Sequence, residues 1–328
     1  FPAGKSGQYA IPDSVTNIGN GAFSSCAGLI SVTIPESVRV IGSDAFSGCT
    51  GLTSTTIPES VTYIHDGAFR KCTGLLAFDV DPQNPNYSSL DGVLFNKDKT
   101  SLIQYPAAKS GRYDIPDSVT SLEASKSFYY GEYRRDPGSF EGSSELTGVS
   151  IPSGVTRIRA ETFKGCSALT TVTIPASVTS IGYEDTYWVP EDPLLSGAFE
   201  DCTSLHSAIF LGDAPTTFDE DTFANTAPGF TIYYLSCSSG FTSPTWNGYP
   251  AVRIDERACP AAPWLVSHDL PYDTDLGQDL NGDGVSLLMA YALGLDPHSN
   301  LSGHMPTPVL TGDALTLTFP TAASGIIY

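Results

Sequence analysis

Basic residues are scarce in this chain: 16 Lys and Arg stand against 36 Asp and Glu, a formal net charge of -20. Phosphate backbones are held by Lys and Arg gathered along one face, so nucleic acid is excluded as a natural partner. The same shortage disfavours an anionic membrane surface. No run of eighteen apolar residues occurs, so no segment reads as a membrane-spanning helix. Histidine is sparse as well. His65, His206, His268, His298 and His304 have no zinc-ligand spacing with one another or with Cys. His298 and His304 lack the glutamate base of a metalloprotease helix. His65 reads as a surface turn residue. A Gly-Lys-Ser triplet at Gly4 resembles the end of a phosphate loop, but its internal copy is Ala108-Lys-Ser. No Gly-x-Ser-x-Gly elbow is present, and no carboxylate pair is singled out among many Asp and Glu. Nothing marks an enzyme.

What the chain has in abundance is turn residues, with 31 Gly and 24 Pro, and they recur in step. Ile11-Pro, Ile34-Pro and Ile57-Pro fall 23 residues apart, as do Ile151-Pro and Ile174-Pro. In the units starting at Ile11, Ile34, Ile57 and Ile151 a Phe follows the Ile by 12 residues and a Cys by 15, giving Phe23, Phe46, Phe69 and Phe163 with Cys26, Cys49, Cys72 and Cys166. A unit this short buries no core alone, so stacking on neighbours is expected, with like residues in columns. The stretch from Leu29 to Ile34 alternates as a strand does. Coils spaced like strands in a sheet lie about 4.8 Å apart. Proline ends each strand, and Gly after the second Ile permits a turn. Val93–Asn96 and Ser101–Tyr105 flank a polar turn and read as a hairpin.

This pattern resembles the BspA-type leucine-rich repeats of bacterial surface proteins, over residues 1–236. The resemblance includes the family's variant unit, here Asn86 to Pro106. It implies a β-rich repeat solenoid, exposure at the cell surface or outside the cell, and a role in adhesion. No cofactor is required for such a role.

Seven cysteines suggest a disulfide framework, but the repeat argues otherwise. Cys26, Cys49, Cys72, Cys166 and, past an insertion, Cys202 share one interior column, with Ser143 in the sixth equivalent place. That favours a ladder of buried thiols. Cys237 and Cys259 lie outside it, where a bonded pair and two free thiols are both open.

Two units are longer than the rest. From Ile115 to Phe140 and from Ile174 to Phe199 is 25 residues instead of 12. Both extra segments fall at one place in the unit and therefore leave one face, two coils or about 10 Å apart. The first carries Phe128, Tyr129, Tyr130, Tyr133, Arg134 and Arg135. The second carries Tyr183, Glu184, Asp185, Tyr187, Trp188, Glu191 and Asp192. Aromatics on scaffolded loops suit a protein or glycan ligand, so Tyr129, Tyr130, Tyr133, Arg134, Arg135, Tyr183, Tyr187 and Trp188 are the candidate binding residues. The alternative is that the loops pack on each other and only cover a flank.

The unit around Phe210 to Leu235 is degenerate, and residues 237–260, with Phe241, Trp246 and Tyr249, read as a cap. Residues 261–300 read as two short helices around Asp279-Leu-Asn-Gly-Asp-Gly-Val. This loop resembles the calcium loop of dockerins and EF-hands, with Asp279, Asn281, Asp283 and Val285 as ligands. Position 12, however, is Ala290 in place of an acid, so a weakened calcium site and a metal-free turn stay open. The block from Asn281 to Pro297 resembles C-terminal modules of exported proteins from Verrucomicrobia-like bacteria. Residues 301–328 read as the start of a β domain. Phe1–Thr16 reappears as Tyr105–Thr120, so a fragment of a longer protein is expected. The functional expectation is a non-catalytic surface binding protein. A structural spacer or envelope component, or an accessory module of a secreted enzyme, are the alternatives.

Overall fold

A computed structural model describes residues 6–122, 138–182 and 196–254, with Asp296, His298 and the backbone of two further strands. The chain divides into two compact units, Phe1–Tyr234 with Ser238–Arg253, and Leu235–Cys237 with Ile254–Tyr328. Among the described residues there is no helix, hence none long and apolar enough to cross a membrane.

In the first unit each coil contributes a longer strand and a two-residue strand. These are β1 (Gly7–Ala10) and β2 (Asn17–Ile18), β3 (Leu29–Thr33) and β4 (Val40–Ile41), β5 (Ser54–Ile57) and β6 (Tyr63–Ile64), followed by β7 (Ala77–Val80). The longer strands pair in parallel in the order β1-β3-β5-β7, and the short ones as β2-β4-β6. An antiparallel sheet of β8 (Tyr87–Leu90), β9 (Val93–Asn96) and β10 (Leu102–Gln104) follows, in the order β10-β9-β8. The hairpin expected from the polar turn is therefore present, with β8 as a third strand. Coils resume with β11 (Gly111–Asp114), β12 (Leu146–Ser150), β13 (Arg157–Ile158), β14 (Thr171–Ile174), β15 (Ser180–Ile181), β16 (Ser207–Phe210) and β17 (Thr217–Phe218). The run ends in β18 (Thr231–Leu235), β19 (Thr245–Trp246) and β20 (Tyr249–Ile254), which extend the sheet as β14-β16-β18-β20-β19. Phe241 and Trp246 pack there against Phe210 and Phe218. In the second unit β21 (Val309–Thr311) and β22 (Ala314–Thr316) form an antiparallel pair. The helices expected at 261–300 lie outside the described residues.

The repeated residues do stand in columns. Phe23, Phe46 and Phe69 stack at ring separations of 5.0 and 5.2 Å, each 6° from parallel. A second stack runs Tyr105, Phe140, Phe163, Phe199, Phe223 at 5.0, 4.8, 5.0 and 5.2 Å. Isolated aromatic pairs prefer offset or edge contacts. Here the coil spacing holds the rings near-parallel, about one strand spacing apart. The repeated Ser after Pro also gains a role. Ser37 Oγ donates to Val15 O at 2.7 Å, Ser60 Oγ to Val38 O at 2.7 Å and Ser177 Oγ to Val155 O at 2.6 Å, each binding a coil to the one before it.

Strict alternation does not hold along the longer strands. Leu29 is buried, Ile30 and Ser31 both face outward, and Val32 is buried again. The register slips at the same point, where Gly7 pairs with Leu29 but Gln8 with Ser31. The same slip recurs where Gly111 pairs with Leu146 but Arg112 with Gly148. Ile30 and Leu76 are 48% and 55% exposed.

The thiol column is confirmed. Cys49, Cys72, Cys166 and Cys202 are buried and reduced, and Cys26 is buried at the head of the column. Each of the four donates its S–H to the Phe carbonyl of the previous coil, at 3.1, 3.1, 3.3 and 3.1 Å. Burial pushes the Cys49 thiol up to about 11 and Cys72 to about 12, and Cys166 well above its ordinary value. Cys259 lies outside the described residues. The turn before the column Cys needs a left-handed backbone, which Ser25 (φ 59°), Lys71 (φ 55°) and Asp201 (φ 62°) accept alongside glycines, as does Asn225 (φ 57°) before Thr226 in the same place of the degenerate coil.

Candidate functional site

The two insertions themselves, residues 123–137 and 183–195, lie outside the described residues, and with them Tyr129, Tyr130, Tyr133, Arg134, Arg135, Tyr183, Tyr187 and Trp188. So do Asp279, Asn281, Asp283 and Val285. Among the described residues, no group of three or more His, Cys, Asp or Glu is placed to hold a metal ion. What the structure does show is where the insertions are rooted.

Both segments re-enter the coil at glycine. A Cβ on Gly138 would lie 1.9 Å from Glu161 O, and one on Gly197 would lie 1.7 Å from Asp221 O. No side chain fits either place. From there the chain makes the same bonds twice: Phe140 N donates to Thr162 O at 3.0 Å, and Phe199 N to Thr222 O at 2.8 Å. Glu161 lies between the two roots. Its carbonyl is against Gly138, and its N–H donates to Gly197 O at 3.4 Å. The insertions therefore leave one flank, with a single coil between them.

The roots are charged and mostly buried. Glu141 and Glu161, with side chains 6% and 3% exposed, share Arg70, which is 23% exposed. Arg70 Nε and Nη2 donate to the two oxygens of Glu141 at 2.6 and 2.9 Å, and Nη2 also reaches Glu161 at 3.2 Å. Burial alone would lower the Arg70 pKa. The hydrogen bond from Glu141 and the charges of Glu141, Glu161 and Asp44 outweigh it and raise the value. At the second root, Lys164 Nζ donates to Ser196 Oγ at 2.6 Å and pairs with Glu200 at 3.2 Å, while Gly197 N donates to Glu200 at 3.1 Å.

These root residues escaped the sequence reading, although one signal was there. The position after the column Phe reads Ser24, Ser47, Arg70, Glu141, Lys164, Glu200, with charge alternating over its last four members. His65, expected at a surface turn, is half-buried with its ring edge-on to Tyr63 at 4.4 Å, and burial lowers its pKa.

The BspA-type leucine-rich repeat profile matches the chain in 6 copies, over residues 5–130 and 135–185. The chain belongs to this family. The coils continue beyond the matched residues, through Phe199 and Phe223, where the second insertion and a degenerate unit break the spacing. A leucine-rich cell surface protein from Faecalibacterium prausnitzii is 26% identical, covering 74% of this chain and 62% of that one, with a TM-score of 0.54. A leucine-rich repeat protein from Eubacterium ventriosum is 25% identical, covering 70% and 66%, with a TM-score of 0.46. The pneumococcal vaccine antigen PcpA is 20% identical, covering 76% and 79%, with a TM-score of 0.45. The chain thus spans less than two thirds of the first two proteins. No curated protein matches it.

Proposed function

We propose that this BspA-type chain is a non-catalytic surface protein whose coils form a rigid scaffold and whose two aromatic insertions make one binding flank for a protein or glycan. The observation that supports this most directly is the shared root. Gly138 and Gly197 sit on either side of Glu161, so Tyr129, Tyr130 and Tyr133 and the Tyr183, Tyr187 and Trp188 set are tethered to neighbouring places. Rigid roots with aromatic segments give contact area at low entropic cost. The Faecalibacterium relative, a cell surface protein, supports an extracellular or cell-surface location.

The test is a glycan and extracellular-matrix array probed with wild type and with Tyr187→Ala/Trp188→Ala. A saturable ligand whose affinity falls at least tenfold in the variant, at unchanged melting temperature, supports the reading. Absence of saturable binding by wild type favours a spacer. The loop Asp279, Asn281, Asp283, Val285 is offered as a weak calcium site, lacking the acid at position 12. Titration calorimetry with calcium on wild type and Asp279→Ala decides it.

A further inference from the structure

The coil stack changes character at the antiparallel sheet, where its rings and its core both divide. The β1-β3-β5-β7 sheet stops at β7, β11 and β12 form a parallel pair of their own, and the next parallel sheet begins at β14. The short-strand sheet stops at β6 and resumes with β13, with one parallel bridge, Ser101 to Ser121, between them. Phe69 meets Phe78 edge-on at 80°, and the ring stack restarts at Tyr105. The buried apolar residues accordingly fall into two clusters, one from Ile11 to Leu94 and one from Val93 to Ala251. The boundary runs through β9, whose Leu94 belongs to the first cluster while Val93 and Phe95 belong to the second.

The hairpin is bonded to both sides. Phe78 N donates to Gly92 O at 2.8 Å and Ile64 N to Tyr87 Oη at 2.8 Å on one side; Leu102 N donates to Ser121 O at 2.9 Å and Tyr105 N to Ser139 O at 2.8 Å on the other. Arg70 does something different. It belongs to the first block, yet its partners Glu141 and Glu161 are 71 and 91 residues away in the second, beyond the segment that starts at Tyr105. The Lys71 ammonium adds to it, 4.0 Å from Glu141. Glu161 holds a left-handed φ of 62° at the place where Gly21, Asp44 and Gly67 stand in the first block. A side chain there works against the backbone preference, and its carboxylate is on Arg70.

We propose that the hairpin unit is a joint between two separately cored blocks, and that Arg70, gripping Glu141 and Glu161, is the clamp that holds the joint closed on the insertion-bearing flank. Removing the guanidinium takes away the cation that donates hydrogen bonds to both buried carboxylates, so the flank opens to hydrate them. The rest of each block keeps its own core.

Hydrogen exchange on the full chain tests the joint without any substitution. In wild type the amides of Phe78, Leu102 and Tyr105 exchange at least tenfold faster than those of Val32 and Val172 inside the blocks. Arg70→Met tests the clamp. It raises exchange at Phe78, Leu102, Tyr105 and Phe140 by a further tenfold or more and leaves Val32 unchanged. Arg70→Met/Glu141→Gln/Glu161→Gln, which strands no charge, recovers much of that protection. Uniform exchange across hairpin and blocks in wild type overturns the joint. A rise in Arg70→Met that is equal at Val32 and Tyr105, or one the triple variant does not reduce, overturns the clamp. If Arg70→Met does not fold, wild type at 1 M salt against 50 mM salt substitutes: partial exposure of Arg70 lets ions weaken the pairs, so exchange rises at the joint alone, and a rise everywhere or nowhere rejects the clamp.

Discussion

The first three coils and the coils after the hairpin are built on one rule, but they apply it differently. In the first block the coils all have 23 residues, and the rings of Phe23, Phe46 and Phe69 lie 6° from parallel. In the second block two coils carry long insertions, and neighbouring rings tilt by between 5° and 26°. The interior bonds are nevertheless the same: Cys166 and Cys202 reach back to the previous coil's Phe carbonyl just as Cys49 and Cys72 do. Insertions are tolerated because they leave from one turn and return to the same column position, at Gly138 and Gly197. The solenoid thus separates a fixed interior from a variable flank.

That comparison is broken most forcefully at the rings. Phe46→Ala and Phe163→Ala each remove a fully buried ring and are expected to cost about 3–5 kcal/mol. Chemical denaturation should show equal losses. A much smaller loss for Phe163→Ala would mean that the second block's column is not packed like the first. Alkali acts next. The raised thiols of Cys49 and Cys72, and the Tyr87 and Tyr105 hydroxyls, both pushed to about 12 by burial, stay protonated in the fold after their unfolded counterparts have ionised. Their stabilising contribution is therefore whole below about pH 9 and is lost as pH climbs toward 12, by roughly 1 kcal/mol per group and pH unit. Urea midpoints between pH 7 and 11 report it, and a flat profile would contradict the burial of these groups.

Single polar groups sharpen the comparison. Ser143 occupies a Cys place in the second block, and its buried hydroxyl has no hydrogen-bond partner. A thiol, with its longer bond to carbon, reaches the carbonyl below. Cys166→Ser should cost about 1–3 kcal/mol, and Ser143→Cys should gain about 1 kcal/mol. In the first block Thr55 stands where the register pairs it with Val32 and Phe78, again with a buried, unpartnered hydroxyl. Thr55→Val should gain about 1 kcal/mol or less. Thermal melts of all three variants check the signs.

The regular part of the molecule was legible because one residue type recurs at one place: Ile before Pro, then Phe, then Cys. Period and burial give a column without further information. The hairpin was legible from a polar turn between apolar runs. The outward position of Ile30 was not, because a bulge changes which residues face inward without changing composition. The Arg70 clamp was hidden for another reason. Its partners are 71 and 91 residues distant, and only the stacking of coils across the hairpin brings them together. The division into two cores depends likewise on where the hairpin sits in the stack. The insertion residues were found by a shift in spacing, and the structure adds their common root at Glu161.

Deleting one whole coil, residues 34–56, tests the stacking of equivalent units most directly. Thr33 is then joined to Ile57, and Phe23 meets Phe69 as it met Phe46. A cooperative thermal unfolding transition and an unchanged β-type circular dichroism signal per residue are the expected result, whereas a deletion of residues 34–50, out of step with the period, should unfold the first block and lower that signal. If the in-step deletion unfolds the chain as completely as the out-of-step one, the coils are not interchangeable rungs of one stack.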